Sequence, residues 1–252
     1  MLAAQRQQTI LRDLAARKFL SIPAVARALG VSEATVRRDF EELDRGGRAR
    51  RVRGGLAAPQ AAPSPAPFSE RQKMLATEKE RIGRAAARLV ADGETIIMDG
   101  GTTTSSMAPY LGQKRIQVIT NSITVADYLA ESATVEVICT GGYLYRPSRV
   151  FLGPQAVRLL QDVHASKTFV SAGGLTLEGI GHSNSLIIET EQMMIARGRE
   201  VILLVDHTKF SDGTGLRVCP WKNVSRVITD RPAPREFARF FKQHGIGVIV
   251  AR

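Results

Sequence analysis

Short polar clusters recur from residue 99 onward, each at the end of an apolar run. Asp99-Gly100-Gly101-Thr102-Thr103-Thr104 sets a carboxylate beside two glycines and three hydroxyls. Glycines let the backbone approach a ligand closely. Successive N–H groups and threonine hydroxyls at a helix start form a nest for a phosphate. Thr120-Asn121-Ser122 offers hydrogen-bonding groups for a sugar, and Gly141-Gly142 and Ser171-Ala-Gly173-Gly174 open two more loops. Asp206-His207-Thr-Lys209 gathers an acid, an imidazole and an ammonium. These residues form a candidate effector site for a small, anionic, hydroxyl-rich ligand. No Gly-Lys-Ser/Thr completes a Walker loop, and no Gly-x-Gly-x-x-Gly marks a dinucleotide site.

A different chemistry sits near the N-terminus. Residues 1–57 hold 12 Lys/Arg against 6 Asp/Glu, and five arginines fall between Arg45 and Arg53. Two short helices joined by Gly30-Val-Ser32 have helix-turn-helix spacing. With Val36, Phe40 and Leu43 turned inward, Thr35, Arg37 and Arg38 are free to meet DNA, with Ser32 at the helix start. An arginine reads guanine bidentately or clamps a phosphate. Asp39 orients an arginine or pairs inside the domain. Arg48, Arg51 and Arg53 fit a two-stranded wing beside backbone phosphates.

Elements must position these groups. A first helix spans about Ala4 to Arg17, with Ile10, Leu11 and Leu14 on one face. Ser21 caps a second helix with Pro23 in its first turn, and Gly30 ends it in a left-handed conformation. Ser32 caps the third, which Gly46-Gly47 terminates. Further on, Thr77-Glu-Lys-Glu80 reads as a capping box opening a helix with Ile82, Ala85, Ala86, Leu89 and Val90 inward. Strands are expected at 94–98, 116–120, 135–139, 167–170, 201–205, 224–229 and 246–250. Helices are expected at 103–111, 123–130, 154–160, 186–196 and 234–243. Alternation of this kind predicts an α/β domain with a largely parallel sheet and a ligand at the strand C-termini.

The chain has 252 residues, 44% of them apolar, and a formal net charge of +11. That excludes a disordered chain and biases it toward polyanions. Ala57 to Pro67 carries four prolines and reads as a semi-rigid linker. The expected organisation is a winged helix-turn-helix domain (α+β) at 1–56, a linker and connector at 57–74, and an effector-binding, oligomerising α/β domain at 75–252. No apolar run reaches membrane-spanning length, and the N-terminus lacks signal-peptide order, so a cytoplasmic protein without membrane contact is expected. Cys139 and Cys219 read as two buried thiols. With His164, His182, His207 and His244 they offer no metal-ligand spacing, and no metal or cofactor is expected. His207 is placed in the pocket and His182 in a mobile ligand loop, while Trp221 and Met193-Met194 read as packing or subunit contacts.

The run Val31-Ser-Glu-Ala-Thr-Val-Arg-Arg-Asp-Phe-Glu-Glu-Leu43, with Gly47 and Arg53-Gly-Gly55, resembles the N-terminal signature of the DeoR family of bacterial transcription regulators. The stretches 99–104, 120–122, 141–142, 171–174 and Val205-Asp-His-Thr-Lys-Phe210 resemble that family's C-terminal effector domain. The likeness covers about residues 4–56 and 75–230. It implies a sensor domain similar to ribose-5-phosphate isomerase and effectors that are phosphorylated sugars or their catabolic intermediates. Where the family often has a basic residue, this chain reads Glu189-Thr-Glu-Gln-Met-Met194.

The expected function is a repressor of a carbohydrate uptake or catabolism operon. Its partners would be double-stranded operator DNA, a phosphorylated sugar and further copies of the chain, as dimer or tetramer. An isomerase-like enzyme using Asp99, Asp206 and Lys209 is one alternative. A constitutive DNA-binding protein without effector response is another. Fusion to a DNA reader gives binding alone a sufficient role, so no catalytic residue is assigned.

Overall fold

In the N-terminal unit, α1 (Ala3–Arg17), β1 (Phe19–Ser21), α2 (Ile22–Leu29) and α3 (Glu33–Arg45) lead into β2 (Arg50–Val52) and β3 (Gly55–Ala57). The structure is a computed structural model that describes residues 3–17, 19–45, 49–52, 54–57, 66–182, 184–210 and 215–252. The helix signals act as the sequence implies. Ser21 Oγ accepts from the Ala24 N–H, Pro23 lies in the first turn, and Gly30 ends α2 at φ 64°. Ser32 Oγ accepts from the Thr35 N–H at 3.2 Å. Ile10, Leu14, Val25, Val36, Phe40, Leu43 and Leu56 form one core. The wing gains a third strand, since β3 lies between β1 and β2 in an antiparallel sheet. Three residues of β1 carry too little periodicity to announce a strand whose partner is 36 positions away. Gly46, Gly47, Arg48 and Arg53 lie outside the described residues.

The chain divides into compact units Met1–Ser64 and Pro65–Arg252. Within the second, α4 (Phe68–Lys73) and α5 (Ala76–Ala87) precede β4 (Thr95–Met98), α6 (Thr102–Ser105), β5 (Ile116–Thr120), α7 (Ile123–Leu129) and β6 (Val135–Cys139). The short strands β7 (Tyr143–Tyr145) and β8 (Val150–Leu152) follow, then α8 (Pro154–Gln161) and β9 (Ala165–Val170). After β10 (Gly174–Thr176) and β11 (Gly179–His182) come α9 (Ser185–Arg197), β12 (Gly198–Leu204), β13 (Leu216–Cys219), β14 (Arg226–Thr229), α10 (Arg235–Gln243) and β15 (Gly247–Val250).

Seven of these strands form one sheet in the order β15-β14-β12-β9-β4-β5-β6, with every neighbouring pair parallel. Side chains alternate along β4. Ile96 and Met98 pack with Ile82 of α5 on one face, and Ile97 packs with Met194 of α9 on the other. Both faces are therefore covered, as a parallel sheet requires. The hairpin β7–β8 and the small antiparallel sheet β10-β11-β13 are additions the sequence reading did not foresee.

Four expectations need correction. Thr77 does not cap α5. Leu75 precedes that helix in a left-handed conformation (φ 52°) with no side-chain cap, and Lys79 instead donates to the Arg71 and Met74 carbonyls at the end of α4. Residues 103–111 form no single helix, because α6 stops at Ser105 and a separate 3-10 turn spans Ala108–Tyr110. Cys139 is exposed at the end of edge strand β6, whereas Cys219 is buried. Residues 179–182, read as a mobile loop, are strand β11.

Candidate functional site

On α3, Val36, Asp39, Phe40 and Leu43 are buried, and Ser32, Arg37 and Arg38 are exposed. Asp39 turns inward, accepting from Arg6 Nε at 2.5 Å and Arg6 Nη2 at 2.9 Å. This bidentate pair ties α1 to α3 and keeps the acid away from the exposed face. Thr35 is half-buried and 2.9 Å from the Ser32 hydroxyl. Arg37 reaches Glu33 one turn back at 3.4 Å. Arg38 makes no ion pair among the described residues. Arg51 is exposed, but its guanidinium meets Glu41 at 2.6 Å and its N–H meets Asp44 at 3.0 Å. It thus fastens the wing to α3. Arg48 and Arg53, also expected at phosphates, fall outside the described residues.

In the larger unit the polar groups gather where the sheet's strands end. Asp99, just beyond β4, is 2% exposed. Its Oδ1 accepts from the Gly101 N–H at 3.1 Å, and its Oδ2 accepts from the Ser171 N–H at 2.8 Å and the Ser171 hydroxyl at 2.9 Å. Burial pushes this carboxyl above its ordinary range, against donors at Thr104, Ser171 and Gly101 that pull it down. A Cβ at Gly101 would fall 1.9 Å from Ser171 Oγ, and one at Gly100 2.0 Å from a Val150 methyl. Close approach, rather than a special dihedral angle, requires both glycines. Thr102, Thr103 and Thr104 are buried behind them.

The remaining candidates differ in what occupies them. The Thr120 hydroxyl donates to the Met98 carbonyl at 2.7 Å, and Ser122 caps α7 through the Val125 N–H. Both serve the fold. Asn121 is buried, with Nδ2 on the Phe151 carbonyl at 3.2 Å and Oδ1 without a partner among the described residues. Gly141 (φ 63°) and Gly142 (φ 111°) make the left-handed turn into β7, at the sheet's edge, two strands from β4. Gly173 donates to the Gly181 carbonyl at 3.0 Å, and Gly174 belongs to β10. Asp206 caps its own turn through the Thr208 N–H. His207 Nδ1 lies 2.7 Å from Asp230 Oδ2, which fixes the ring. Lys209 is half-buried.

Arg71, Lys79 and Glu191, not foreseen as site residues, join this edge together with His182. Arg71, on α4, donates to the Ala66 carbonyl at 2.9 Å and the Ser148 hydroxyl at 3.3 Å. Burial lowers its pKa, and attraction to Asp99 opposes that. Lys79 is 6% exposed, and burial lowers it too. Asp206 offsets this, while Lys209 and Arg71 add to it. His182 is pushed down to about 4 by burial and by Arg71 and Lys209. Arg71, Lys79 and Lys209 thus converge from three segments. Glu191 of α9 is buried, with Oε2 unpartnered, and burial next to Asp99 raises it well above the usual carboxylate range. For Lys79 a signal existed, since a cation three residues before Ile82 lies on the helix's buried stripe. Arg71 had none, because its stretch reads as connector.

Among the described residues no three His, Cys, Asp or Glu side chains gather as a metal site, and no helix is long and apolar enough to cross a membrane. A separate cavity of about 260 Å³ lies between β10, β11 and β13, lined by Thr176, Ile180, Leu216 and Arg217 among others. It shares no residue with the cluster around Asp99.

Residues 6–62 match the DeoR-like helix-turn-helix domain family, and residues 75–231 match the DeoR C terminal sensor domain family. The uncharacterized HTH-type transcriptional regulator YulB of Bacillus subtilis (strain 168) is 36% identical over 231 residues, covering 91% of this chain and 90% of its own. The HTH-type transcriptional regulator UlaR of Escherichia coli (strain K12 / DH10B) is 31% identical over 251 residues, 99% of either chain. Among solved structures, ribose 5 phosphate isomerase A from Neisseria gonorrhoeae aligns over 53% of each chain at 14% identity and a TM-score of 0.40.

Proposed function

The chain belongs to the DeoR family of helix-turn-helix transcriptional regulators, and from that premise we propose that it represses a carbohydrate uptake or catabolism operon and leaves its operator when a phosphorylated sugar or catabolic intermediate binds. The observation that carries this reading is the buried ammonium of Lys79 on the Arg71 carbonyl, with the charges of Asp206, Lys209 and Arg71 acting on it. Cations withdrawn from water favour an anionic group, and the adjoining carboxylates and Asn121 suit hydroxyls. In this reading Asp99 fixes the Gly100–Gly101 loop and the Ser171 loop around the ligand, its oxygens accepting from Gly101 and Ser171. Ser32, Thr35, Arg37 and Arg38 form the DNA-reading face, with Arg48 and Arg53 on flanking phosphates. Two or more copies engage repeated half-sites. The effector releases DNA by favouring an arrangement of those copies in which half-site geometry fails.

Operator release by the full chain tests this. In a mobility-shift assay the wild type binds operator DNA, and a sugar phosphate reverses the shift while its unphosphorylated parent does not. Arg38→Ala lowers specific operator affinity about tenfold or more. Lys209→Ala binds the operator normally but needs about tenfold more sugar phosphate for release. A complex that no phosphosugar disturbs would sink the proposed effector class.

A further inference from the structure

Among the described residues, Glu191 is the acid at the sheet edge whose presence neither a hydrogen bond on its Oε2 nor an ion pair explains. It lies on α9 between Ile187, which packs with Val150 of β8, and Met194, which packs with Ile97 and Ile119 beneath the sheet. That places its carboxyl level with the strand ends. It is 6% exposed, and its Oε2 has no partner among the described residues. Buried carboxyl oxygens are ordinarily paired, so this one calls for a partner that the described residues do not supply. Asp99 and Cys219 are close enough for their ionisation to be coupled to that of Glu191.

The cations and Glu191 reach this edge over opposite faces of the sheet. Lys79 sits on α5, which packs against the Ile96 and Met98 face. Glu191 descends from α9 on the Ile97 face. A ligand with its anionic group on Arg71, Lys79 and Lys209 therefore turns its other end toward Glu191. A second phosphate there would meet a buried carboxyl, whereas a hydroxyl can both donate and accept.

We propose that Glu191 is a specificity residue of the ligand site, hydrogen-bonding an uncharged hydroxyl of the bound phosphosugar at the end away from its phosphate. This rests on the phosphosugar reading above and narrows it to sugars phosphorylated at one end. Burial, with the charge of Asp99 adding to it, raises this carboxyl well above the usual range, which favours the form that offers a donor as well as an acceptor.

The test compares inorganic phosphate with pentose and hexose monophosphates, by titration calorimetry on the full chain. Inorganic phosphate fills only the cationic end. The tightest-binding monophosphate should lose about tenfold in affinity in Glu191→Leu, as for one buried hydrogen bond to a polar ligand, while inorganic phosphate changes by less than about twofold. Glu191→Gln keeps a donor and an acceptor and should restore most of the loss. A bisphosphate of the same sugar should bind the wild type about tenfold more weakly than the monophosphate. Unchanged monophosphate affinity in Glu191→Leu would overturn the proposal. Equal losses for phosphate and phosphosugar would do the same, since they indicate packing. If no monophosphate binds the wild type, the phosphosugar reading falls and the proposal falls with it.

Discussion

Arg37 and Arg38 stand exposed on α3, one turn of a single helix apart from the cap that starts it. Lys79 is buried and Arg71 half-buried, and the charges that act on them include Asp99, Asp206 and Lys209 from segments far along the chain. The difference follows from the ligands each must meet. DNA is a large, rigid polyanion that supplies its own surface, so its reader needs only a firm scaffold and exposed donors. A small ligand supplies no surface, so its site must be enclosed, and enclosure makes each charge costly unless another answers it. In the first region the buried pair Arg6–Asp39 serves the scaffold. In the second, on the proposed reading, the buried charges are themselves the recognition elements.

The sharpest test of this contrast is Asp39→Ala, which removes a carboxylate that is 2% exposed from its bidentate contact with Arg6. It should destabilise the N-terminal unit by about 3 kcal/mol. Hydrogen exchange of the α1 and α3 amides would report it, and unchanged protection would show that the pair is dispensable. Next comes Gly101→Ala. The added methyl falls 1.9 Å from Ser171 Oγ, and moving that hydroxyl breaks its bond to Asp99. A loss of about 2 kcal/mol is expected from such overpacking, read from denaturant unfolding followed by Trp221 fluorescence. Full stability would mean that the Asp99–Ser171 clamp is looser than its distances indicate.

The smallest effect is a pH slope. His182 titrates at about 4 in the folded chain against an ordinary 6.5. The unfolded chain therefore binds the extra proton first as pH falls. The stability due to neutral His182 is complete above pH 6.5 and is lost progressively as pH drops toward 4. Between pH 8 and 5.5 the loss is about 1 kcal/mol. Glu191, raised in the fold, acts in the opposite sense over part of that range. The comparison must therefore be wild type against His182→Asn, whose profile should be flatter by that amount. Identical profiles would place His182 in contact with water.

These contrasts also decide what the sequence could reveal. The stripe Val36, Phe40, Leu43 and the caps Ser21 and Ser32 are local, and they announce α2, α3 and the exposed arginines between them. Strands β5 and β6 have the bounds their apolar runs predict. The strands that went unseen, β1, β7, β8, β10, β11 and β13, have three or four residues each. They exist through partners brought by the fold rather than through any period of their own. The site divides the same way. Asp99-Gly-Gly is legible because one segment contains it. Arg71 is not, because its hydroxyl partner Ser148 is 77 positions away. Thr77 misled because the left-handed Leu75 and the ammonium of Lys79 end α4 without a capping box.

The central strand pair has a bearing on how the chain becomes competent. Strands β4, β5 and β6 succeed one another outward to one edge, whereas β4's other neighbour, β9, comes after the whole β5–α8 stretch. The Asp99–Ser171 clamp closes a loop of 72 residues. Loop closure of that length is entropically costly, and long-range parallel pairing is slow. The two half-sheets can each gather locally, but the groups of the ligand site meet only when β4 and β9 join. Ligand recognition is then among the last properties the folding chain acquires, and a nascent regulator cannot answer its signal until its sheet is whole.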